Sequence, residues 1–364
     1  MDHWPLIVAV AALLTTMVAA VLTAVFARSR LLGALDQPNE RSLHQTPVPR
    51  TGGLALLTAL VVGVGLLALA GFPSWHQQLI RQPIQPLLWI AAAIAPLALV
   101  SYLDDRGHVS RRLRFAVHLG AAVLLWLGAL RWDSIGLPGF DTVTLPASLA
   151  LVLTLLYTVW MINLYNFMDG MDGFAGGMAL FGFGALAVLG WLGGEPAFAA
   201  CCTLIAAAAL GFLTGNFPPA RIFLGDAGSA TLGLLAAAAT LWGSAIGLFG
   251  NWVGLLAFSP FIVDASWTLL RRAAQRERLW QAHRSHHYQR LVLAGWGHRR
   301  TLLWSYLLMA ATAATAVAAP GLPVAEQWLL LGGWACIYAL IHVRVGLVER
   351  EAARQAGGTA GGAR

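Results

Sequence analysis

Charged residues are scarce in this chain. Only 11% of its 364 residues are charged, whereas 58% are hydrophobic, and an ordinary soluble domain carries about 25% charged residues. The hydrophobic residues come in repeated runs, each close to the roughly 20 residues that a helix needs to cross a hydrocarbon core. The composition therefore excludes an ordinary soluble domain and predicts an all-α, polytopic membrane protein.

Lysine is absent, and cysteine is rare. All 23 basic residues are arginines, whose planar guanidinium group suits phosphate, although a genome biased toward arginine codons would give the same pattern. The three cysteines, Cys201, Cys202 and Cys336, lie in hydrophobic runs without metal-type spacing. We expect the cysteines to be small residues of the membrane core. For the protein as a whole, we expect membrane lipids as partners and no nucleic acid.

The hydrophobic runs predict about eleven membrane spans. These fall at 5–27, 52–72, 86–103, 113–130, 147–164, 174–193, 197–214, 228–248, 252–271, 301–319 and 325–346. The first run is too long and too uniformly hydrophobic for a signal peptide, and no cleavage pattern follows it, so we expect a retained helix.

The arginines predict the orientation of the spans. If the N-terminus lies outside, the inner loops and the helix ends that border them hold every arginine except Arg81 and Arg131. Because positive residues concentrate on the cytoplasmic side, this split predicts an N-out, C-in topology. We expect one transmembrane domain over 1–350, with its active-site loops in the cytoplasm. A Gly- and Ala-rich tail over 351–364 is predicted to be disordered.

The stretch 163-NLYNFMDGMDG-173 follows a predicted span and carries four polar residues at three-residue spacing: Asn163, Asn166, Asp169 and Asp172. On a helix, residues three apart share a face, where the carboxamides could bind a uracil edge or a sugar hydroxyl. A capped helix end is the alternative, but it accounts for Asp172 alone.

Three further acidic residues lie at predicted inner ends of spans. Asp104 and Asp105 are adjacent, and two adjacent carboxylates are tolerated beside a cation. Oxygen ligands in small number suit Mg²⁺. Asp226 lies in 222-IFLGDAGS-229, and Asn216 and Arg221 in the preceding loop strengthen the prediction of a site. A charged helix-end turn and an N-cap are the respective alternatives.

The predicted inner loop 271–300 holds eight arginines and four histidines. His283, His286 and His287 suggest groups that bind phosphate or carry protons, although such a basic loop could also be an anchor on an anionic membrane surface. Asp264 lies in a predicted span about two turns from Arg271 and Arg272, so we expect a structural ion pair. Arg50 precedes a helix whose N-terminus could bind an anion.

Five stretches in this order resemble the polyprenyl-phosphate N-acetylhexosamine-1-phosphate transferases of glycosyltransferase family 4. They are 47-PVPRTGG-53, 103-LDD-105, 163-NLYNFMDGMDG-173, 222-IFLGDAGS-229 and 286-HHYQRL-291. The resemblance covers about residues 36 to 300. The predicted number of spans, eleven, is similar to that of the family branch that uses GlcNAc, and the chain resembles the branch that initiates O-antigen. The resemblance implies transfer of N-acetylhexosamine 1-phosphate from a UDP-N-acetylhexosamine to undecaprenyl phosphate, with release of UMP. It further implies the bacterial inner membrane, Mg²⁺ (or Mn²⁺) as the cofactor and a homodimer as one expected assembly.

The resemblance also implies residue roles. Catalytic roles fall on Asp104, Asp105, Asp169, Asp172 and His286. Substrate-binding roles fall on Asn163, Asn166, Asn216, Arg50, Arg221, His283, His287 and Arg290. The metal ligands would be Asp105 and Asp226. Many family members carry a His-x-His-His or triple-His pattern, whereas this chain has His283-Arg-Ser-His286-His287, so the division of roles among its histidines stays open.

Alternatives remain at the level of mechanism and of function. Direct attack by the lipid phosphate and a covalent aspartyl-phosphate intermediate are both compatible with the sequence. A secondary transporter of an anionic substrate is the main alternative function, but it would place its ionisable groups near the bilayer midplane. An intramembrane aspartyl protease would need a Gly two residues before the Gly-Asp pair, where Phe223 stands. A CDP-alcohol phosphotransferase would need an arginine that 169-DGMDGFAGG-177 lacks.

Overall fold

A computed structural model of the chain describes residues 3–28, 35–36, 47–71, 86–107, 109–140, 142–278 and 283–361. Over these ranges the chain is mostly helical, which confirms the predicted all-α class. The helices are α1 Trp4–Arg28, α2 Gly52–Leu69, α3 Pro86–Arg106, α4 Arg111–Leu127, α5 Ala147–Met168, α6 Phe174–Leu192, α7 Pro196–Asn216, α8 Gly225–Ala245, α9 Asn251–Ala257, α10 Ser259–Ala274, α11 His287–Leu291, α12 Gly297–Ala318 and α13 Val324–Gly361. A π-helical turn, Val292–Trp296, joins α11 to α12.

Two short antiparallel pairs of strands complete the described elements. Strand β1 (Leu35–Asp36) pairs with β2 (Val48–Pro49), and β3 (Ser134–Ile135) pairs with β4 (Val143–Thr144). Each strand has two residues, so these pairs fasten loops and do not form a sheet that could carry a core.

The predicted count of eleven spans is not confirmed. Among the described residues, eight helical stretches are long and apolar enough to cross a membrane, and a bent pair of helices raises the number to nine. Every predicted span nevertheless falls on a helix. Helix α4 has 17 residues and opens with arginines, and α8 is rich in small residues, which lowers the hydropathy of both.

Helix α8 lies at the centre of the bundle. Nearly all of its residues are buried, and it packs against α3 and α5. Small residues let helix backbones approach closely: a Cβ added at Gly53 of α2 would lie 2.4 Å from the backbone nitrogen of Gly228 in α8. The small residues that lower the hydropathy of α8 are thus the ones that place it in the core.

The sequence predicts a span over 252–271, and the structure shows a sharp bend within it. The structure has two helices here, α9 and α10, bent by 85° at Phe258. Pro260 lies in the first turn of α10, where its missing N–H group costs no helical hydrogen bond. The bend gives α10 a direction of its own as it runs toward the histidine-rich loop.

Two loops are fastened together at the end of the bundle where the polar motifs lie. The carbonyl oxygen of Pro49 accepts the N–H of Phe223 at 2.8 Å, and the N–H of Gly52 donates to the Phe223 carbonyl at 2.9 Å. These bonds join the 47-PVPRTGG-53 stretch to the loop that precedes α8. Two of the sequence motifs therefore meet through their backbones.

The disordered tail predicted for 351–364 stays a prediction. The backbone of α13 continues as a helix through Gly361, and only residues 362–364 of this segment lie outside the described residues. The start of the segment, 351-EAARQA-356, consists of strong helix formers. These residues favour the helical backbone at this end of α13.

Candidate active site

The centre of the candidate site is the contact between the end of α3 and the start of α8. The side-chain oxygens of Asp105 accept the backbone N–H groups of Asp226 and Ala227, at 3.1 and 3.2 Å. The Asp105 side chain is completely buried. A carboxylate at a helix N-terminus is stabilised by the helix dipole and by the N–H groups that have no partner within the helix. Asp105 therefore fixes the position of the N-terminus of α8, which carries Asp226.

Gly225 makes this contact possible. Its φ of +74° is a left-handed conformation that glycine adopts readily. An added Cβ would lie 2.4 Å from the carbonyl oxygen of Arg50 and 2.8 Å from Oδ2 of Asp105. The guanidinium group of Arg50 itself lies 3.9 Å from Oδ1 of Asp105. The glycine of the GDAGS motif thus lets two loops and a carboxylate converge.

Asn166 on α5 joins the same group. Its Nδ2 donates to Oδ1 of Asp226 at 2.9 Å and lies 3.1 Å from Oγ of Ser229. Because Asn166 bonds directly to Asp226, the structure brings together two motifs that are 60 residues apart in the chain. The Asp226 side chain is 30% exposed, so a substrate can reach it.

Arg114 bridges the acidic residues, and the sequence assigned it no role. Its Nη1 lies 2.5 Å from Oδ2 of Asp104 and 3.7 Å from Oδ2 of Asp226. Asp104 also accepts the backbone N–H of Val109 at 3.2 Å. Arg114 thus supplies positive charge between the two carboxylates. The signal in the sequence was the basic start of the fourth predicted span, but three arginines there compete for the role.

Asn163 lies apart from the acidic residues. Its Nδ2 donates to the carbonyl oxygen of Val159 at 2.7 Å and lies 3.3 Å from Nδ1 of His118 on α4. His118 is one turn after Arg114, and Asn163 is nearly one turn before Asn166, so the contact between Asn163 and His118 lies about one turn away from the contacts of Arg114 and Asn166 with Asp226.

The DGMDG loop after α5 is held by its second aspartate. Oδ2 of Asp172 accepts the N–H of Ala220 at 3.0 Å, and Oδ1 lies 3.4 Å from Nδ1 of His298. Burial alone would raise the pKa of Asp172, but the hydrogen bonds from His298 and Ala220 outweigh it and hold the pKa below its usual value. Asp169 is the C-cap residue of α5 and precedes Asp172 by three residues in the chain.

Two predicted substrate-binding residues, Asn216 and Arg221, form hydrogen bonds to backbone groups. Asn216 accepts the N–H of Gly173 at 2.9 Å and donates to the carbonyl oxygen of Ile222 at 2.8 Å. Arg221 donates to the carbonyl oxygen of Thr214 at 2.8 Å. Asn216 is buried, so it acts here as a brace between the DGMDG loop and the loop before α8.

The histidine-rich loop is organised around Asp264 of α10. Oδ1 of Asp264 accepts the backbone N–H of His287 at 3.0 Å, and it lies 3.4 and 3.3 Å from Nδ1 of His286 and of His287. The ion-pair partners suggested for Asp264 by the sequence, Arg271 and Arg272, are not these neighbours. Arg272 instead pairs with Glu277 at 2.6 Å.

Tyr288 connects the histidine-rich loop to the DGMDG loop. Its hydroxyl donates to the carbonyl oxygen of Phe167 at 3.2 Å, and a Cβ added at Gly170 would lie 2.2 Å from that hydroxyl. The Tyr288 ring also packs on Phe174, with centroids 4.8 Å apart. The histidine motif is therefore held against the acidic loop by a buried aromatic residue.

The other two residues predicted in this loop have close partners inside the protein. Nδ1 of His283 lies 2.8 Å from Oγ of Ser285, and partial burial, together with the charges of His286 and Arg272, lowers the pKa of His283 to about 4. Arg290 makes two bonds to Glu349 of α13, at 2.7 and 2.5 Å.

Comparison with known proteins places this chain in a family. The model of glycosyl transferase family 4 matches residues 87–244, from the start of α3 to the end of α8. A decaprenyl-phosphate N-acetylglucosaminephosphotransferase of Mycobacterium tuberculosis is 33% identical over 76% of this chain and 73% of its own length. The chain belongs to glycosyl transferase family 4.

Other family members extend the likeness. A probable undecaprenyl-phosphate N-acetylglucosaminyl 1-phosphate transferase of Bacillus subtilis is 29% identical over 85% of this chain and 84% of its own length. A phospho-N-acetylmuramoyl-pentapeptide-transferase of Staphylococcus aureus is 25% identical, over 74% and 85% of the two chains. This confirms the resemblance to the polyprenyl-phosphate N-acetylhexosamine-1-phosphate transferases.

The candidate site contains carboxylate oxygens, which are donor atoms that Mg²⁺ prefers. The carboxylate of Asp105 bonds to the backbone of Asp226, and Mg²⁺ commonly binds one or two carboxylates together with waters and substrate phosphates. Arg114 lies 3.7 Å from Oδ2 of Asp226, beyond direct hydrogen-bonding distance. The described residues contain no group of three or more His, Cys, Asp or Glu side chains that could hold a metal. A two-carboxylate site completed by substrate phosphates fits these residues.

Proposed function

We propose that this protein transfers an N-acetylhexosamine 1-phosphate from a UDP-sugar to a polyprenyl phosphate, expected to be undecaprenyl phosphate, and releases UMP. The observation that carries the proposal is the meeting of Asp105 and Asp226 with Asn166 and Arg114 at adjoining helix ends. Carboxylates that can hold a cation, next to an arginine, suit a substrate that brings a diphosphate and its metal. The names of the relatives from Bacillus subtilis and Mycobacterium tuberculosis agree with a polyprenyl-phosphate acceptor.

The chemistry requires one phosphorus–oxygen bond to form and one to break. An oxygen of the lipid phosphate attacks the β-phosphorus of the UDP-sugar, and the bond from that phosphorus to the bridging oxygen breaks, so that UMP leaves with the bridging oxygen. The second pKa of a phosphate monoester is about 6, which makes the attacking group a dianion at neutral pH. Direct attack then needs positioning and charge neutralisation more than a general base.

The residues divide this work by position. Asp105 and Asp226 would hold Mg²⁺, or Mn²⁺ in its place, and the bound ion would supply charge neutralisation for the diphosphate. Arg114 orients Asp104 and Asp226 and adds positive charge beside them. Asn166 fixes the rotamer of Asp226 through its hydrogen bond. Asp104 could orient the lipid phosphate, since its carboxylate is at the same helix end.

The proposal includes a location. The polar motifs lie at helix ends, which agrees with a site at the membrane surface where a lipid phosphate and a soluble nucleotide sugar can meet. The distribution of the arginines in the sequence supports a cytoplasmic position for this surface, in the inner membrane of a bacterium. The product would be a lipid-linked diphosphate sugar that initiates O-antigen or another envelope glycan.

The test uses the purified full-length protein with undecaprenyl phosphate, Mg²⁺ and a panel of UDP-N-acetylhexosamines, and it measures nucleotide release. We expect UMP, released only when lipid phosphate and Mg²⁺ are both present. Asp226→Asn should abolish release. Asp133→Asn is the matched control, because Asp133 is exposed and pairs only locally with Arg131 at 2.8 Å. Release of UDP would instead mean transfer of the sugar without its phosphate and would contradict the proposal.

A further inference from the structure

The histidine-rich loop is held in place by α13, a helix that contains none of the sequence motifs. Two residues of α13 reach the loop: His342, whose Nδ1 lies 3.1 Å from Nε2 of His287, and Glu349, which binds Arg290. His342 and Glu349 are seven residues apart, and seven residues are two turns of a helix, so both side chains project from one face. One face of α13 therefore contacts the loop at two points.

The contact between Arg290 and Glu349 has the geometry of a strong ion pair. Nε and Nη2 of Arg290 bond to the two oxygens of Glu349 at 2.7 and 2.5 Å. The Arg290 side chain is only 10% exposed. In a two-point pair of this kind the planar fork of the guanidinium is occupied by the carboxylate, which leaves that edge of Arg290 unable to bind a substrate phosphate.

The contact at His342 extends a chain of polar groups. Nδ1 of His287 lies 3.3 Å from Asp264 and its Nε2 faces His342, so both ring nitrogens of His287 have a partner within the protein. The His342 ring in turn packs edge-on against Trp267 of α10, with centroids 4.6 Å apart. The orientation of the His287 imidazole is thus fixed from α10 on one side and from α13 on the other.

We propose that the inner end of α13 is a positioning element of the active site, in which Glu349 and His342 hold the histidine-rich loop and Arg290 serves Glu349 instead of substrate. Tyr288 lies between the two anchored residues, His286 directly precedes the first of them, and Tyr288 packs on the DGMDG loop. Displacement of α13 would therefore move the histidine motif relative to the acidic loop. The meaning of this contact for catalysis rests on the proposed transferase function, but the contact itself does not.

The first experiment tests the positioning without reference to activity. Hydrogen–deuterium exchange is measured on the full-length protein for the peptide that covers 286–296, in wild type, Glu349→Gln and Glu351→Gln. Glu351 is the matched control because it too pairs with an arginine, Arg344, at 3.7 Å, but the side chains of Arg344 and Glu351 are 59% and 60% exposed. We expect faster exchange of the peptide in Glu349→Gln only. Equal exchange in all three proteins would overturn the proposal.

The second experiment separates a positioning role from a substrate contact. Arg290→Glu and Glu349→Arg are measured singly and together for UMP release, with kcat and KM determined for both substrates. Each single change should lower kcat by about 100-fold, as small displacements in an active site do, with little change in KM. The double change restores the ion pair in reverse and should recover most of the lost rate. The matched double change Arg344→Glu with Glu351→Arg should leave the rate unaltered.

The outcomes are distinct. If the Arg290→Glu and Glu349→Arg double variant stays as slow as Arg290→Glu while Glu349→Arg keeps the wild-type rate, Arg290 contacts substrate directly and the positioning role is wrong. If wild type releases no UMP with any donor, the proposed function fails, and the exchange experiment still decides the positioning. His342→Gln, which can keep a hydrogen bond to His287, should stay closer to wild type in both readouts than His342→Phe.

Discussion

The carboxylate of Asp105 is bonded to the peptide N–H of Asp226, at 3.1 Å, and to that of the following residue, Ala227, at 3.2 Å. One acidic residue thereby holds the backbone of another. Two carboxylates at such close quarters repel each other, and they remain together because backbone N–H groups, Asn166 and two arginines surround them. This arrangement has consequences that can be measured.

Asp105→Asn should impair activity more than the loss of one charge suggests. An asparagine amide offers one acceptor oxygen and one NH₂ group, so one of the two backbone N–H groups would face a donor. Each hydrogen bond to a charged group contributes about 1.5–3 kcal/mol, and the start of α8 should loosen. We expect kcat for UMP release to fall by about 100-fold, together with a lower apparent Tm. An unchanged Tm with lost activity would restrict Asp105 to metal or substrate contact.

Arg114 should be required although the sequence motifs omit it. Arg114→Gln removes the positive charge between Asp104 and Asp226, and removal of one preorganised charge-stabilising group typically costs about 100-fold in kcat. Arg114→Lys should recover part of the rate, because it restores the charge without the fork. Arg111→Gln and Arg112→Gln are controls, since both residues are exposed on the same helix end. Equal losses in all three variants would show a general effect of basic charge.

Gly225→Ala should disrupt the site through its backbone. The left-handed φ of +74° costs a residue with a Cβ about 1–2 kcal/mol, and the added Cβ would also press on Arg50 and Asp105. Gly247→Ala is the matched control: its φ is +71°, but an added Cβ would meet nothing within 4 Å. We expect Gly247→Ala to lower the apparent Tm slightly and Gly225→Ala to abolish UMP release. Retained activity in Gly225→Ala would mean that UMP release does not require the close contact of Gly225 with Arg50 and Asp105.

His283 should make the protein acid-sensitive. Its pKa is lowered to about 4 in the folded protein, from 6.5 in an unperturbed histidine, so between these values the unfolded chain binds more protons than the folded one. Stability from this residue is therefore present above about pH 6.5 and decreases as the pH falls toward 4. The decrease in apparent Tm over this interval should be smaller in His283→Gln than in wild type. A parallel pH dependence in the two proteins would contradict the assignment.

The sequence predicts the helices better than it predicts their breaks. Runs of hydrophobic residues locate a helix under each predicted span because a membrane-crossing backbone must satisfy its own hydrogen bonds. The 85° bend at Phe258 was missed because the hydrophobic run continues through it. Pro260 was the available signal. The burial of α8 could not be predicted from its composition. Many small residues are compatible both with a helix of low hydropathy that does not span the membrane and with a helix packed at the centre of the bundle.

The sequence predicts some features of the candidate site and not others. Short motifs indicated Asp104, Asp105, Asn166 and Asp226, and the structure brings these four residues together. The motifs do not specify the hydrogen bonds of Asn216 to Gly173 and Ile222, because these bonds join separate loops. The pairing of Arg290 with Glu349 joins residues 59 positions apart, and no local pattern specifies a contact of that kind.

The measurement that tests the central claim most directly uses a UDP-N-acetylhexosamine labelled at both the sugar ring and the β-phosphate. After incubation with undecaprenyl phosphate, Mg²⁺ and the purified protein, both labels are followed into the lipid fraction. The account predicts that they arrive in equal amounts, with one UMP released for each lipid product, and that Asp226→Asn transfers neither. Transfer of the sugar label alone, with the phosphate label retained in UDP, would contradict it.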